Sequence, residues 1–524
     1  MKKNRLILYL TTLCISMSCS VSDFEDNYTD PSKLDRTNVG KQFTGMIYSN
    51  REYVLPSYWD YYVVRRITSN RYSQAVGWIN NENQYIPGSA AVGDRWNAYY
   101  NFLAQFRELE KVYDELPELD KPRNRIFIIA GSTYFYDQTQ QVVDFHGDIP
   151  WSEAGMLSSN SGDYTKSYAG YDKATAIYTK MLDDLAGFAD EIHGMELSAD
   201  VQSIFDTQDL INRGDLDLWK KYINSLRLRI LTRVSATSEF GTRAKAEINA
   251  ILSDPVKYPI VTENADNVLF RIHSLGTLLE SNQFQRGLED DNGNLAGKKI
   301  IDHMLANQDP RLSYVFEPGL ESDGTYLGLD PMMNPNQQNE LVLTQTLAIY
   351  NRSTISRNQF FPGLVFTAPE VHLLAAEYYL KENQDAMAKQ HYEEAIKKSI
   401  EFYVYLRSIS NNSLAPAPVA PTLASINNYL AMDEVAWDGA ADKLALISYQ
   451  KWLHFNVVQP NENWHEIRRL KKMALDFWVD NNNQQSLPPS RWMYPGSEQT
   501  YNVENYSKVQ SEDKLNNKLF WDVN

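Results

Sequence analysis

The sequence predicts a mainly α-helical protein with long irregular insertions and little β structure. Apolar residues recur at the spacing of amphipathic helices in several long stretches, whereas runs with the alternation of strands are few and short. No Gly- or Pro-rich linker divides the chain after its N-terminal segment. We therefore expect residues 41–524 to form one large domain.

Residues 1–18 have the pattern of a lipoprotein signal peptide. Three basic residues within the first five positions precede an apolar run from Leu6 to Met17, which is too short to span a membrane. Small residues come directly before Cys19, as a lipoprotein signal peptidase requires, whereas Leu13 makes Cys14 a poorer site. We therefore predict a lipid on Cys19, and an ordinary secretory signal is the alternative.

Residues 19–40 have the composition of an acidic flexible tether, and about 20 such residues reach roughly 25 Å. Removal of residues 1–18 deletes three positive charges and no negative ones, so the net charge changes from -17 to -20. A chain this acidic disfavours nucleic acid and anionic headgroups. Its membrane attachment is therefore expected to come through the N-terminal lipid. Both cysteines lie within the first nineteen residues, so a mature chain has no disulfide.

Helical periodicity is clearest between residues 367 and 399. Thr367 and Glu370 have the spacing of a capping box, and apolar residues follow on one helix face as far as Tyr378. A break near residue 382 precedes a second amphipathic run, so the two helices are expected to form a hairpin of tetratricopeptide type. Other helical stretches are 93–115, 171–192, 215–235 and 442–456.

Two short segments, 259–262 and 268–272, are the best strand candidates. The longest insertion, residues 317–339, is rich in Gly, Pro, Asn and Asp, and loops of this length in a compact domain are usually functional or disordered. Five apolar residues at helical spacing are expected in the core: Trp219, Leu226, Ile230, Trp452 and Trp464. Three arginines are expected to pair with carboxylates: Arg227, Arg229 and Arg468.

Several short motifs occur one after another along the chain. They are the Asp-Asn-rich tether, Gly-Asp-Ile-Pro at 147–150, the helix at 218–229, Asp-Pro-Arg-Leu at 309–312, the segment 366–380, Gln-Lys-Trp at 450–452, Asn-Trp-His-Glu-Ile-Arg-Arg at 463–469, and Tyr-Pro-Gly-Ser-Glu at 494–498. In this order they resemble the SusD/RagB family of nutrient-binding outer-membrane lipoproteins. Pro369 and the Lys471-Lys472 pair depart from the family pattern and indicate a divergent branch.

The resemblance implies a SusD-like fold of tetratricopeptide-like helical hairpins with a loop-rich variable region. It also implies a lipid-anchored protein on the extracellular side of the outer membrane. Such a protein captures a nutrient, with oligosaccharide the first expectation and peptide (RagB-like) the second. Its implied partner is a SusC-like TonB-dependent outer-membrane transporter, for which it acts as a lid.

The common catalytic sequence motifs are absent. The chain has no Gly-x-Ser-x-Gly elbow, no His-Glu-x-x-His helix and no Gly-rich phosphate loop. Residues 289–294 carry oxygen ligands but lack the spacing of an EF-hand, so a solvated turn is expected there. We therefore predict a binding protein without catalytic residues, metal or cofactor. A surface hydrolase, suggested by the many carboxylates, and a helical scaffold that binds only proteins are the alternatives.

Aromatic residues in polar, turn-rich surroundings are the candidates for ligand binding. The chain has 33 Tyr and 11 Trp, whose flat apolar faces and polar edges suit stacking on sugar rings. The segment 77–85 combines two aromatic residues with amides that can hydrogen-bond sugar hydroxyls. Trp59 is a weaker candidate for ligand binding than the residues of this segment. The predicted ligand-binding residues are Trp78, Asn81, Asn83, Tyr85, Trp96 and Tyr326.

Overall fold

A computed structural model describes residues 37–281, 283–479 and 484–524. The predicted lipidation site Cys19, the signal peptide and most of the tether lie outside these residues. The first described helix begins at Val39, one residue before the expected end of the tether. The predicted mainly helical fold class is confirmed. In the ranges described, no helix is long and apolar enough to cross a membrane.

The helices follow one another along the chain with few long interruptions. They are α1 Val39–Ser49, α2 Ser69–Tyr72, α3 Ser89–Asp114, α4 Lys121–His146, α5 Ala174–His193, α6 Ala199–Gln208, α7 Leu216–Val234, α8 Gly241–Ser253, α9 Phe284–Glu289, α10 Lys298–Ala306, α11 Leu312–Val315, α12 Pro335–Leu343, α13 Ala368–Lys381, α14 Asp385–Ser408, α15 Leu423–Leu430, α16 Lys443–Phe455, α17 Pro460–Leu470, α18 Gly496–Tyr501 and α19 Val503–Val509. Two segments form π-helices, Trp59–Arg65 and Arg352–Ser356.

The strands form short antiparallel pairs. They are β1 Ile149–Pro150 with β2 Tyr171–Asp172, β3 Val268–Phe270 with β6 Gly363–Phe366, and β4 Phe316–Glu317 with β5 Ile349–Tyr350. The predicted strand at 268–272 is thus present in part, whereas the one at 259–262 is wrong. There the Val261 N–H donates to Ser225 Oγ of α7 at 2.9 Å, so this segment lies against a helix instead of pairing with a strand.

Helices α13 and α14 form the predicted hairpin, but the predicted capping box is wrong. Thr367 is the residue before α13, yet its side chain does not cap the helix. Its hydroxyl lies 2.8 Å from His454 Nε2. The Glu370 carboxylate accepts a hydrogen bond from Arg229 at 2.6 Å. The free N–H of Ala368 is satisfied instead by the Asn267 side chain at 2.7 Å, so tertiary partners replace the local motif.

Helix α4 is the long element that periodicity did not predict. It has 26 residues, and nearly every residue from Ile126 to His146 is buried. A helix enclosed on all sides has no apolar stripe, because polar residues also face inward and find partners there. Among them, Asp137 accepts a hydrogen bond from Tyr222 at 2.8 Å.

A network of buried charges joins α4, α7, α13, α16 and α17. Arg233 of α7 pairs with Asp144 at 3.1 Å and with Glu462 at 2.6 Å, and it also contacts Glu466. Lys451 of α16 extends the network by pairing with Glu466 at 2.6 Å. These side chains are almost completely buried, so each charge depends on its partners.

The five residues predicted to lie in the core are all buried. Arg227 pairs with Glu247 at 3.1 Å and Arg229 with Glu370, as predicted. The prediction for Arg468 is wrong. Its guanidinium donates to the backbone carbonyls of Ser490 and Asp144 at 2.5 Å and 2.8 Å and lies over the Trp464 ring, so carbonyl dipoles and an aromatic face take the place of a carboxylate.

Candidate ligand-binding groove

The two loops that the sequence indicates as functional meet in the structure. The Asn80 N–H donates to the Gln338 side chain at 2.6 Å. The Asn80 amide donates to the carbonyls of Pro331 and Met333 at 2.8 Å and 2.9 Å. Asn80 therefore fixes the segment 77–85 to the insertion at 317–339, although these segments are far apart in sequence.

Inside the segment 77–85, side chains bind one another. The Trp78 indole N–H donates to Gln84 Oε1 at 2.8 Å, and the Gln84 amide donates to Asn80 and to the Tyr85 hydroxyl at 3.1 Å and 3.0 Å. Trp78 is 8% exposed and Tyr85 is fully buried. Both rings therefore hold the loop in place, and their direct contact with a ligand stays a prediction.

Asn81 and Asn83 lie at the surface of the same loop. The side chain of Asn81 is exposed. Asn83 adopts a left-handed backbone conformation with φ 55°, and its side chain accepts a hydrogen bond from the Gln484 N–H at 2.8 Å. Both residues thus border the region where the loops meet without lining the cavity described below.

Trp96 and Tyr326 lie elsewhere. Trp96 is 3% exposed and packs in the core with its ring 4.8 Å from that of Tyr100 and 4.9 Å from that of His146. Tyr326 is half-buried and packs against the apolar cluster that contains Tyr350. Neither residue lines the cavity, so the structure does not bring these two together with the loop.

An open groove of about 520 Å³ lies between residues 330–332 of the insertion and helices α10 and α16, and no residue of the segment 77–85 lines it. This volume falls within the range typical of small-ligand sites. Its lining residues are Gln74, Lys298, Lys299, Asp302, His303, Ala306, Asp330, Pro331, Met332, Glu434, Tyr449 and Asp476.

Close backbone packing fixes the walls of the groove. The Leu329 N–H donates to Ala296 O, and the Lys298 N–H donates to Leu329 O, both at 2.9 Å. A Cβ atom at Gly328 would lie 2.5 Å from the carbonyl oxygen of Gly297. Only glycine therefore permits the insertion to approach the start of α10 this closely.

An aromatic stack forms one side of the groove. The Tyr449 ring of α16 lies parallel to the His303 ring of α10, with centroids 5.1 Å apart and 26° between the planes. Burial lowers the pKa of His303 below its usual value, so the ring is neutral at pH 7. His303 Nδ1 lies 3.1 Å from Glu434 Oε2, an arrangement in which the neutral ring donates to the carboxylate.

Polar side chains surround this stack. Asp302 pairs with Lys298, and the Lys299 ammonium donates to the Ala474 carbonyl. Four carboxylates and two ammonium groups line the groove, so its lining carries two net negative charges. This set offers many hydrogen-bond acceptors and few free cations.

Within the described ranges, no three His, Cys, Asp or Glu side chains converge as metal ligands would. The segment 289–294 is a turn, as predicted: Glu289 pairs with Arg357 at 2.7 Å, and Asp291 accepts a hydrogen bond from the Tyr62 hydroxyl at 2.5 Å.

Sequence reasoning missed Tyr449, His303 and Met332. Tyr449 and His303 stand at ordinary helical positions, where spacing does not show which neighbours they face. Met332 has a usable signal, because an apolar residue within the polar insertion has no helix face to join. It is 52% exposed at the edge of the groove.

Comparison with known proteins supplies the family context. A family model for SusD-like proteins, described as starch-binding and associating with the outer membrane, matches residues 31–495. A search of curated proteins found no match.

Solved structures resemble this fold over nearly their whole length. A chitin-binding protein has a TM-score of 0.74 at 20% identity, covering 92% of this chain and 100% of its own. A SusD-like protein from Bacteroidetes has 0.73 at 18%, covering 93% and 100%. A SusD homologue from Bacteroides fragilis has 0.72 at 17%, covering 93% and 100%. At these identities the likeness shows the fold alone.

Proposed function

The chain belongs to the SusD-like family of outer-membrane nutrient-binding proteins, and from this we propose that it captures oligosaccharide and delivers it to a SusC-like TonB-dependent transporter. Proteins of this family bind their targets and are not enzymes, so the chain is a binding protein. The groove between the insertion, α10 and α16 is the proposed binding site.

The observation that carries this proposal is the Tyr449–His303 stack in the wall of the groove. A flat aromatic face suits the C–H face of a pyranose ring. The carboxylates and the Gln74 amide around it suit sugar hydroxyls, which both donate and accept hydrogen bonds. Because the groove opens to solvent, a chain longer than one sugar can extend out of it.

Peptide is the second candidate ligand, and one observation favours it. The two net negative charges of the groove would attract a basic peptide or a free amino terminus. Against this, the part of the chain described here offers no exposed strand edge beside the groove to which a peptide backbone could add.

Isothermal titration separates these ligands. We expect maltohexaose or chitohexaose to release heat on binding with a Kd below about 1 mM, with no cleavage of the sugar during the titration. A basic decapeptide is the comparison ligand. If only the peptide binds, peptide becomes the proposed ligand in place of oligosaccharide. If none of these probes binds, the result contradicts the proposed function.

We also propose that a lipid on Cys19 holds the protein at the outer face of the outer membrane. A multi-acyl anchor gains ~0.8 kcal/mol for each buried CH₂ group, which makes attachment nearly permanent. Cys19→Ser is therefore expected to move the protein from the membrane fraction to the soluble fraction. Cys14→Ser is the matched control and is expected to stay with the membrane. Equal membrane association of all three proteins would contradict this anchor.

The proposed partner is testable by purification. The family description, which associates these proteins with the outer membrane, supports a transporter partner. Affinity purification of the lipidated protein in mild detergent is expected to bring a SusC-like barrel with it. Recovery of the protein alone, at low and moderate salt, would contradict a stable complex.

A further inference from the structure

Trp59 is the one tryptophan of the described residues with a mostly exposed side chain. Its exposure is 53%, whereas nine of the other ten are 8% exposed or less and Trp478 is half-buried. Exposure of an indole leaves a large apolar surface in water, which costs free energy unless something covers it. Trp59 lies at one side of a cavity of about 430 Å³ that shares no lining residue with the groove.

Trp59 stands beside a stack of two tyrosine rings. The rings of Tyr58 and Tyr62 are stacked 4.9 Å apart with 14° between their planes. The guanidinium of Arg286 lies 5.0 Å from the Tyr58 ring, and that of Arg66 lies 4.0 Å from the Tyr62 ring. Trp59 meets Tyr58 edge-on at 6.2 Å, so the indole adjoins this stack.

The backbone at Trp59 has an unusual conformation. Trp59–Arg65 is a π-helix, in which the Arg66 N–H donates to Tyr61 O at 2.9 Å. Such turns are rare and occur often at functional sites. Here Asp60 and Tyr61 are buried while Trp59 faces outward. This is a second observation, independent of exposure, that points to a site.

The wall opposite the indole is polar. Arg51 lies flat on the Tyr48 ring at 3.8 Å and pairs with Glu52 at 3.4 Å. Gln283 and Thr277 add an amide and a hydroxyl to the same cavity. The adjacent guanidinium and carboxylate present hydrogen-bond donors and acceptors side by side.

We propose that this cavity, the Trp59 pocket, is a second carbohydrate-binding site that takes a neutral pyranose chain. The indole would cover the C–H face of one ring, while Arg51, Glu52 and Gln283 bond its hydroxyls. Acidic sugars are disfavoured because Arg51 is paired with Glu52 and Glu280 adds a further carboxylate. An apolar protein partner is disfavoured because polar atoms make up most of the accessible surface of the wall.

Fluorine NMR of the protein labelled with 5-fluorotryptophan tests the Trp59 pocket directly. Trp59→Phe assigns the resonance, and the probes are maltohexaose, chitohexaose and an acidic hexagalacturonate, each at about 20 mM to detect weak binding. The Trp59 resonance is expected to move with at least one neutral probe and to stay fixed with the acidic one. No movement with either neutral probe would overturn the second site, and movement with the acidic probe alone would overturn its neutral preference.

The groove and the Trp59 pocket are separable by substitution. In Tyr449→Ala the response of the Trp59 resonance is expected to persist, whereas its disappearance would show that it reports on the groove and would overturn the proposal. Trp59→Ala is expected to weaken retention on the matching insoluble polysaccharide about tenfold, because the exposed indole supplies most of the apolar contact. Unchanged retention would overturn it. If only the groove fails to bind sugar, the Trp59 resonance and the retention on polysaccharide still report on the Trp59 pocket.

Discussion

Replacement of Arg233 by methionine is expected to lower the free energy of unfolding by about 4 kcal/mol. The side chain is 1% exposed and is surrounded by Asp144, Glu462 and Glu466. Without the guanidinium, three buried carboxylates lose a common partner while their desolvation cost remains. The measurement is urea unfolding followed by circular dichroism, with midpoints compared at equal slope.

Arg125→Met is the matched control for this prediction. Arg125 pairs with Glu191 at 2.7 Å, but the two side chains are 30% and 42% exposed. Water screens such a pair, so its loss is expected to change the free energy of unfolding by less than about 1 kcal/mol. Equal losses in the two variants would contradict the importance assigned to the buried network.

The same network connects stability to the binding groove. Lys451 of α16 pairs with Glu377 at 2.9 Å and with Glu466 at 2.6 Å inside the protein. Tyr449 precedes it by two residues on the same helix, and therefore faces away from it, toward the groove. The buried ion pairs of Lys451 on one face of α16 thus hold Tyr449 in position on the opposite face, toward the groove.

Tyr449→Ala is expected to weaken oligosaccharide binding about tenfold, because it removes the ring proposed to stack on the sugar. Tyr449→Phe keeps the ring and loses only the hydroxyl, so it is expected to bind within about threefold of the wild type. Isothermal titration with the oligosaccharide that binds the wild-type protein measures both effects. Equal affinities in all three proteins would remove Tyr449 from the site.

Amphipathic helices were predictable because their buried face appears in the sequence as apolar residues at helical spacing. The prediction for residues 215–235 differs from α7 by only one residue at each end, since Asp215 caps the helix. Helix α4 was missed for the opposite reason, because enclosure on every side removes the stripe. The capping box at Thr367 failed because Arg229 and His454, distant in sequence, took its two polar side chains.

The site was predictable in part. Composition indicated the segment 77–85 and the insertion at 317–339, and Asn80 joins them. Composition did not show the direction of each ring, which depends on tertiary partners. Gln84 and the apolar cluster around Trp464 draw Trp78 inward. Trp59, which ranked below it, stands exposed at the start of a π-helix.

The central claim is that an oligosaccharide binds in the groove between α10, α16 and the insertion at 317–339. A crystal structure of the protein soaked with the oligosaccharide that binds in titration tests it most directly. The expected result is sugar density along the groove, with one pyranose ring against Tyr449 and hydroxyls bonded to Asp302 or Glu434. Sugar density confined to other surfaces, with the groove filled only by water, would contradict the claim.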